Sequence, residues 1–227
     1  MINVFMAVLC TAGMLVQLVF IYSEYRKKMV AALWLKGLAS AIFVSVGVSA
    51  DIAAGGSRFA DTVVAGLAFG AIGDVFLNLR YLVKKNERLV FAVGVVSFFL
   101  GHVMYLIALL PYCDHIPAVA AAGLAVAGIL VCCMFRKIKA ELPLKIFGGI
   151  YITTVALMAT VAMGNLVSVM NPNRVLFAVG ALFFLASDTI LVFNTFGPKF
   201  NFCLGGITLI LYYIGQSLIA LSAAFVP

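Results

Sequence analysis

Charged residues are scarce in this chain, and their scarcity decides its general class. Only 10% of the 227 residues are Asp, Glu, Lys or Arg, whereas 65% are hydrophobic and the mean hydropathy is +1.20. A soluble domain is about half apolar and about a quarter charged. The sequence therefore predicts an integral membrane protein. We expect most of its length to lie in the membrane, with no separate soluble domain.

Histidine is almost absent, and this absence excludes several kinds of site. With only His102 and His115, the chain cannot build a zinc site of three histidines. The five cysteines are odd in number and lack the spacing of a disulfide framework or a metal site. A nucleophilic triad is equally unsupported, because Ser187 and Asp188 are neighbours that point about 100° apart on a helix. We therefore expect no metal.

Acidic residues are outnumbered by basic ones, 8 to 15, and the net charge is +7. The basic residues lie in short loops between apolar runs, which is typical of membrane topology and excludes nucleic acid as a partner. The first, third, fifth and seventh loops hold most of them, whereas the second, fourth and sixth hold only Arg58 and Arg174. This bias predicts that those four loops are cytoplasmic and that both termini are not. Short loops without an organelle signal favour a bacterial inner membrane.

What the chain does have is a series of eight apolar runs, each bounded by charge, Pro or Asn. A membrane-spanning helix needs about 20 residues, and each run is long enough. The sequence thus predicts an all-α, polytopic bundle of eight transmembrane helices in a single transmembrane domain, residues 1–227. The runs are 3–22, 31–50, 61–80, 91–111, 117–134, 146–164, 175–196 and 202–225.

Two aspartates lie inside these apolar runs, where a charged carboxylate costs about 2.5–3.5 kcal/mol. Asp74 is in the third run and Asp188 in the seventh. Both runs cross the membrane in the same direction, and each acid lies about 20 Å from the outer end of its helix. Intramembrane acids usually serve a function, so we predict that the two share one site. The alternative is a structural role, with pairing to Lys36 or capping by Asn78 and Ser187.

Lys36, His102 and Tyr105 are predicted at a similar depth or on the same helix face. Lys36 could neutralise a carboxylate, or its ammonium could snorkel to the cytoplasmic surface. His102, with Tyr105 three residues on and on the same face, could orient a carboxylate or a water molecule. It could also be a hydrogen-bonded clamp between helices.

The basic loops offer a candidate site for a phosphate-bearing head group. Arg80, Lys84 and Lys85 are nearest to the end of the third helix. Membrane topology explains the same residues without any ligand, so this is the weaker of the two interpretations.

Three ordered motifs resemble those of the YhhN family, which includes the eukaryotic transmembrane lysoplasmalogenases. The resemblance covers nearly the whole chain, including the eight spans and short loops. One departure is that Lys36 is followed by Gly37, where members of the family often have a Lys-Pro pair. The motifs are Gly73-Asp74-Val-Phe-Leu77, Phe91-x-x-Gly94…Phe98-x-x-x-His102-x-x-Tyr105 and Gly180-Ala-Leu-Phe-Phe-x-x-Ser187-Asp188-x-x-Leu191.

The resemblance implies hydrolysis of the vinyl ether bond of lysoplasmalogens, which releases a fatty aldehyde and a glycerophospho-base. The expected partners are therefore a lysophospholipid or ether-lipid substrate and the membrane lipids. The two motif acids of the family correspond to Asp74 and Asp188, and its motif His and Tyr to His102 and Tyr105. We further predict that Lys36, Asn78 and Ser187 contact or orient the substrate.

The chemistry of this reaction suits two carboxyl groups and needs neither a metal nor an organic cofactor. A carboxylic acid protonates the vinyl carbon, and a carboxylate stabilises the resulting oxocarbenium ion and activates water. Two acids in one site repel each other, so that one could stay protonated while the other is ionised, and either aspartate could be the acid. The alternative function is a proton-coupled transporter that uses the same acids. A third is a scaffolding protein, in which both acids would mainly affect stability.

Overall fold

A computed structural model describes residues 3–225 as a bundle of eight long helices. All eight are long and apolar enough to cross a membrane, which confirms the predicted all-α membrane bundle. Short 3₁₀ helices precede and follow the fourth helix. The helices are α1 (Val4–Tyr25), α2 (Met29–Ala54), α3 (Arg58–Leu79), α4 (Glu87–Leu109), α5 (Ile116–Lys137), α6 (Leu142–Ser168), α7 (Pro172–Phe196) and α8 (Phe202–Ser222).

The ends of these helices follow from local sequence signals. The side chains of Ser57 and Asn171 accept hydrogen bonds from the backbone N–H groups three residues on, which caps α3 and α7. Pro172 occupies the first turn of α7, where its missing N–H costs nothing. Gly55 ends α2 in the left-handed conformation with φ 85°, which glycine adopts without strain.

Seven of the helices form a closed ring, in which α8 lies between α7 and α1. The order around the ring is α1, α2, α3, α4, α6, α7 and α8, while α5 packs outside against α6 and α7. Helix α8 contacts α1 and α7 and also reaches α2 and α3. The two acid-bearing helices, α3 and α7, therefore both contact α8.

Two pairs of helices cross at glycines, where their backbones touch. A Cβ atom on Gly180 of α7 would lie 2.8 Å from the carbonyl oxygen of Gly215 in α8. Likewise, a Cβ atom on Gly101 of α4 would lie 3.0 Å from the carbonyl oxygen of Gly66 in α3. Only glycine allows helices to approach this closely, and such contacts are a main source of packing energy in lipid. The two crossings fix the positions of α3 and α7 relative to their partners.

Gly215→Ala tests the crossing of α7 and α8. The added methyl group would lie 2.9 Å from the Gly180 carbonyl oxygen, so the helices must separate. We expect the free energy of unfolding in detergent to fall by about 1–3 kcal/mol, measured by thermal denaturation. Gly206→Ala on the same helix is the control, because its Cβ would meet Ile21 at an ordinary 3.9 Å. Equal stability of the two variants would contradict the importance of the crossing.

Candidate functional site

A cavity of about 220 Å³ lies inside the bundle and is lined by residues from all eight helices. It lies toward the end where the first, third, fifth and seventh loops are found, which we call the basic end. Most of its wall is apolar. The polar part of the wall near the two acids is formed by Lys36, Asp74, Tyr151, Asp188 and Tyr212, and further charged side chains line the cavity toward the basic end. The structure therefore brings the two predicted acids to one cavity.

Asp74 lies among three donor groups. Lys36 Nζ is 3.3 Å from its Oδ1 atom, and the hydroxyls of Ser40 and Tyr212 donate to its Oδ2 atom at 2.5 and 2.8 Å. The residue is only 4% exposed. A buried carboxylate needs this kind of compensation, so the surroundings of Asp74 suit its ionised form.

Lys36 does not extend to the membrane surface. It is 2% exposed, and its ammonium group lies over the ring of Tyr212, 4.3 Å from the centroid. Of the two alternatives from the sequence, the structure shows ion pairing with Asp74 rather than snorkelling. The flat ring face adds a cation–π contact to the ion pair.

Asp188 has different neighbours. Its Oδ2 atom accepts a hydrogen bond from the Tyr151 hydroxyl, and His102 Nε2 lies behind, 3.3 Å from that hydroxyl oxygen and 3.9 Å from Oδ2. No Lys or Arg between residues 3 and 225 forms an ion pair with Asp188. The imidazole is buried edge-on against Phe184, with ring centroids 4.5 Å apart. An unpaired charge is costly in such surroundings, which favours neutral His102.

Tyr105 joins the network around Asp74 rather than the one around Asp188. Its hydroxyl donates to Gln216 Oε1 at 2.7 Å, and Gln216 Nε2 donates to the Tyr212 hydroxyl at 3.3 Å. Because Tyr212 donates to Asp74, the three side chains form a chain of hydrogen bonds that ends at the acid. Neither Tyr105 nor His102 is among the residues that line the cavity.

Asn78 and Ser187 line the cavity but do not bond to either carboxylate. Asn78 Nδ2 donates to the backbone carbonyl of Asp74 at 3.0 Å, and Ser187 Oγ donates to the backbone carbonyl of Thr208 at 3.0 Å. The structural alternative in which these two residues cap the acids is therefore wrong. Small polar residues in helices commonly bond to backbone carbonyls in this way.

Sequence reasoning missed four residues of the two networks: Ser40, Tyr151, Tyr212 and Gln216. Two of them carry a signal that could have been used. Ser40 is one helical turn after Lys36, and Gln216 is one turn after Tyr212 on an otherwise apolar helix. Tyr151 has no such signal, because a tyrosine in an apolar run is common. Among residues 3–225, no three His, Cys, Asp or Glu side chains are grouped as metal ligands.

Comparison with known families identifies the chain. The model of the YhhN family matches residues 25–223 of the 227. The chain belongs to the YhhN family. The match extends from the last residue of α1 to just past the end of α8, so it contains both acids and all the polar side chains of the two networks. No curated protein and no solved structure is significantly similar to this YhhN protein.

The ion pair of the YhhN protein can be tested by removing its cation. Lys36→Met keeps the length of the side chain but leaves the Asp74 carboxylate buried without a counterion. We expect the free energy of unfolding to fall by about 3–5 kcal/mol, measured by denaturant titration in detergent. The double variant Lys36→Met with Asp74→Asn should recover most of the loss, because no unpaired charge remains. Strict additivity of the two single changes would contradict the pairing.

Proposed function

We propose that this protein hydrolyses the vinyl ether bond of lysoplasmalogens to a fatty aldehyde and a glycerophospho-base. The observation that carries the proposal is that two buried aspartates face one cavity in different surroundings. Asp74 has a cation and two hydroxyl donors, whereas Asp188 has a single hydroxyl donor and no cation. An ether hydrolase of this type needs one ionised and one protonated carboxyl group.

Asp188 is the proton donor in this proposal. A carboxylate without a cation is costly in a buried apolar site, whereas a neutral carboxylic acid is not. Tyr151 donates to Oδ2, so the Oδ1 atom is free to carry the proton toward the substrate. His102 Nε2 then donates to the Tyr151 hydroxyl oxygen, which makes His102 and Tyr151 positioning residues for the acid.

Asp74 is the carboxylate. Lys36, Ser40 and Tyr212 hold it in one orientation and stabilise its negative charge. Its position on the cavity wall allows it to face the cationic carbon that forms when the double bond is protonated. It also allows Asp74 to align the water molecule that adds to that carbon.

The reaction balances without any other reagent. Asp188 transfers its proton to the vinyl carbon that is not bonded to oxygen, and the π electrons of the double bond form the new C–H bond. The ether oxygen shares its electrons with the adjacent carbon to give an oxocarbenium ion. Water adds to that carbon, and the Asp188 carboxylate recovers a proton from the added water. The hemiacetal then breaks its bond to the glycerol oxygen, the hydroxyl proton passes to that oxygen, and the aldehyde is released.

The apolar wall suits the hydrocarbon chain of such a lipid, and it includes Leu77, Val95, Phe98 and Phe147. The head group would then lie at the basic end, where the loops meet water. We infer that this end faces the cytoplasm of a bacterial inner membrane, because basic loops are retained on that side. The substrate would accordingly enter from the inner leaflet.

A proton-coupled transporter could use the same acids, but the helices argue for the enzyme. Transporter sites are typically formed where membrane helices are broken near the middle of the bilayer. Here α3 and α7 continue as regular helices through Asp74 and Asp188. A transporter would also release no aldehyde from an alkenyl lipid, so one assay separates the two functions.

The reaction can be followed with a purified lysoplasmalogen and its saturated-ether analogue. We expect aldehyde from the vinyl ether only, and in D₂O the aldehyde should carry one deuterium on the carbon next to the carbonyl group. Asp188→Asn should lower the rate by roughly 10²- to 10⁴-fold, because it removes the general acid. Asp74→Asn should also lower the rate, because it removes the charge that stabilises the cation.

Asp61→Asn is the matched control for these variants. Asp61 is on the same helix as Asp74 but is exposed in the first turn, far from the cavity wall. Its loss should leave the rate nearly unchanged. A folded wild-type protein that releases no aldehyde from any alkenyl lipid would overturn the proposed function.

The assignment of the acid makes a separate spectroscopic prediction. At neutral pH, the infrared spectrum of the protein should contain a carboxylic acid C=O band that shifts in D₂O. Asp188→Asn should remove this band and Asp74→Asn should retain it, because Asp188, unlike Asp74, lacks a counterion. The reverse pattern would exchange the roles of the two aspartates.

A further inference from the structure

Three charged side chains line the cavity toward its basic end: Glu24, Arg80 and Lys145. Of the basic residues that the sequence suggested for a head group, Arg80 is in this wall, while Lys84 and Lys85 are not. Lys145 already donates to the backbone carbonyl of Phe135 at 3.2 Å. The two side chains with the most bonding capacity left are Glu24 and Arg80.

Glu24 is in an unfavourable place for an acid. It lies in the last turn of α1, where the helix end carries a partial negative charge. Within the described chain, residues 3–225, it forms no ion pair at 4 Å or less. Among the described residues, the cavity wall contains three acids, Glu24, Asp74 and Asp188. Lys36 and Arg80 act on the Glu24 carboxylate electrostatically but lie beyond ion-pair distance, so its oxygens can still bind a cation that enters the cavity.

Arg80 is held with part of its guanidinium group unused. Its Nη2 atom donates to the Tyr81 hydroxyl at 2.7 Å, and the group lies over the rings of Tyr81 and Phe91 at 4.7 and 4.9 Å. Its Nε atom is buried and has no hydrogen-bond partner within residues 3–225. Its Nη1 atom forms no hydrogen bond within residues 3–225, and a fixed guanidinium group with such a free donor suits a phosphate oxygen.

The spacing between Arg80 and the acids suits a glycerophospholipid. Arg80 follows Asp74 by six residues, which is about 9 Å along the helix axis. An extended glycerol phosphate places its phosphorus at a comparable distance from the vinyl carbons. A phosphate at Arg80 would therefore leave the double bond near the two aspartates.

We propose that Arg80 and Glu24 form a head-group site for a phosphate that carries a cationic amine, with Arg80 binding the phosphate and Glu24 the ammonium group. This inference rests on the proposed function, since it places the phosphate and the vinyl ether of one lipid along the same cavity. It makes Glu24 a specificity-determining residue, because an anionic lipid without the amine gains nothing from a carboxylate. Such a lipid would instead be repelled by it.

The test is a binding measurement that does not depend on hydrolysis. Two saturated-ether lysolipids, hexadecyl glycerophosphoethanolamine and hexadecyl glycerophosphate, are titrated calorimetrically into the full-length protein in detergent. In Glu24→Gln, we expect the Kd of the ethanolamine lipid to rise about fivefold, which is typical of a partly exposed ion pair. The Kd of the phosphate lipid should be unchanged or lower. Arg80→Gln should weaken both lipids.

Glu87→Gln is the control for the change in net charge. Glu87 is an exposed acid at the start of α4, at the same end of the bundle, and does not line the cavity. The Glu87→Gln substitution should leave the Kd values of both lipids unchanged. The proposal is overturned if Glu24→Gln weakens the two lipids equally or neither of them, or if the wild type binds neither. A protein that binds these lipids as expected but releases no aldehyde from vinyl ethers would overturn only the proposed hydrolysis.

Discussion

A carboxylate buried between membrane-spanning helices needs a counterion and hydrogen-bond donors, and this need determines the centre of the structure. Asp74 obtains them from Lys36 and Ser40 on α2 and from Tyr212 on α8. Lipid offers no water as a substitute, so the three helices are stable together only in the arrangement that satisfies the acid. The chain from Tyr212 through Gln216 to Tyr105 extends this constraint to α4.

A second network holds the other side of the cavity with different helices. Asp188 on α7 is bonded by Tyr151 on α6, which His102 on α4 contacts from behind. The glycine crossings of α3 with α4 and of α7 with α8 connect the two networks, because they fix the distance between the acid-bearing helices and their partners. Two identical side chains thus acquire different properties from the helices that happen to face them.

The elements that sequence could predict are those that depend on local composition. The lengths of the apolar runs give the eight helices, and the two acids stand out because charge is rare within such runs. Lys36 could be proposed as a partner because it is a rare charge at the same depth, but the hydroxyl partners of the acids could not be predicted, because they depend on which faces of distant helices meet. Asn78 and Ser187 are close to the acids in sequence, yet they bond to backbone carbonyls, whereas Tyr151 and Tyr212 are distant in sequence and bond to the carboxylates.

The lack of a cation at Asp188 has a role in the proposed chemistry. When Asp188 gives up its proton, it becomes a buried carboxylate, which would be costly alone. The same step creates an oxocarbenium ion beside it, so the transfer forms an ion pair and not an isolated charge. A lysine next to Asp188 would repel that cation, and it would keep Asp188 ionised before the substrate arrived. Asp74 is already paired with Lys36, so it retains its charge throughout and can orient water without competing for the proton.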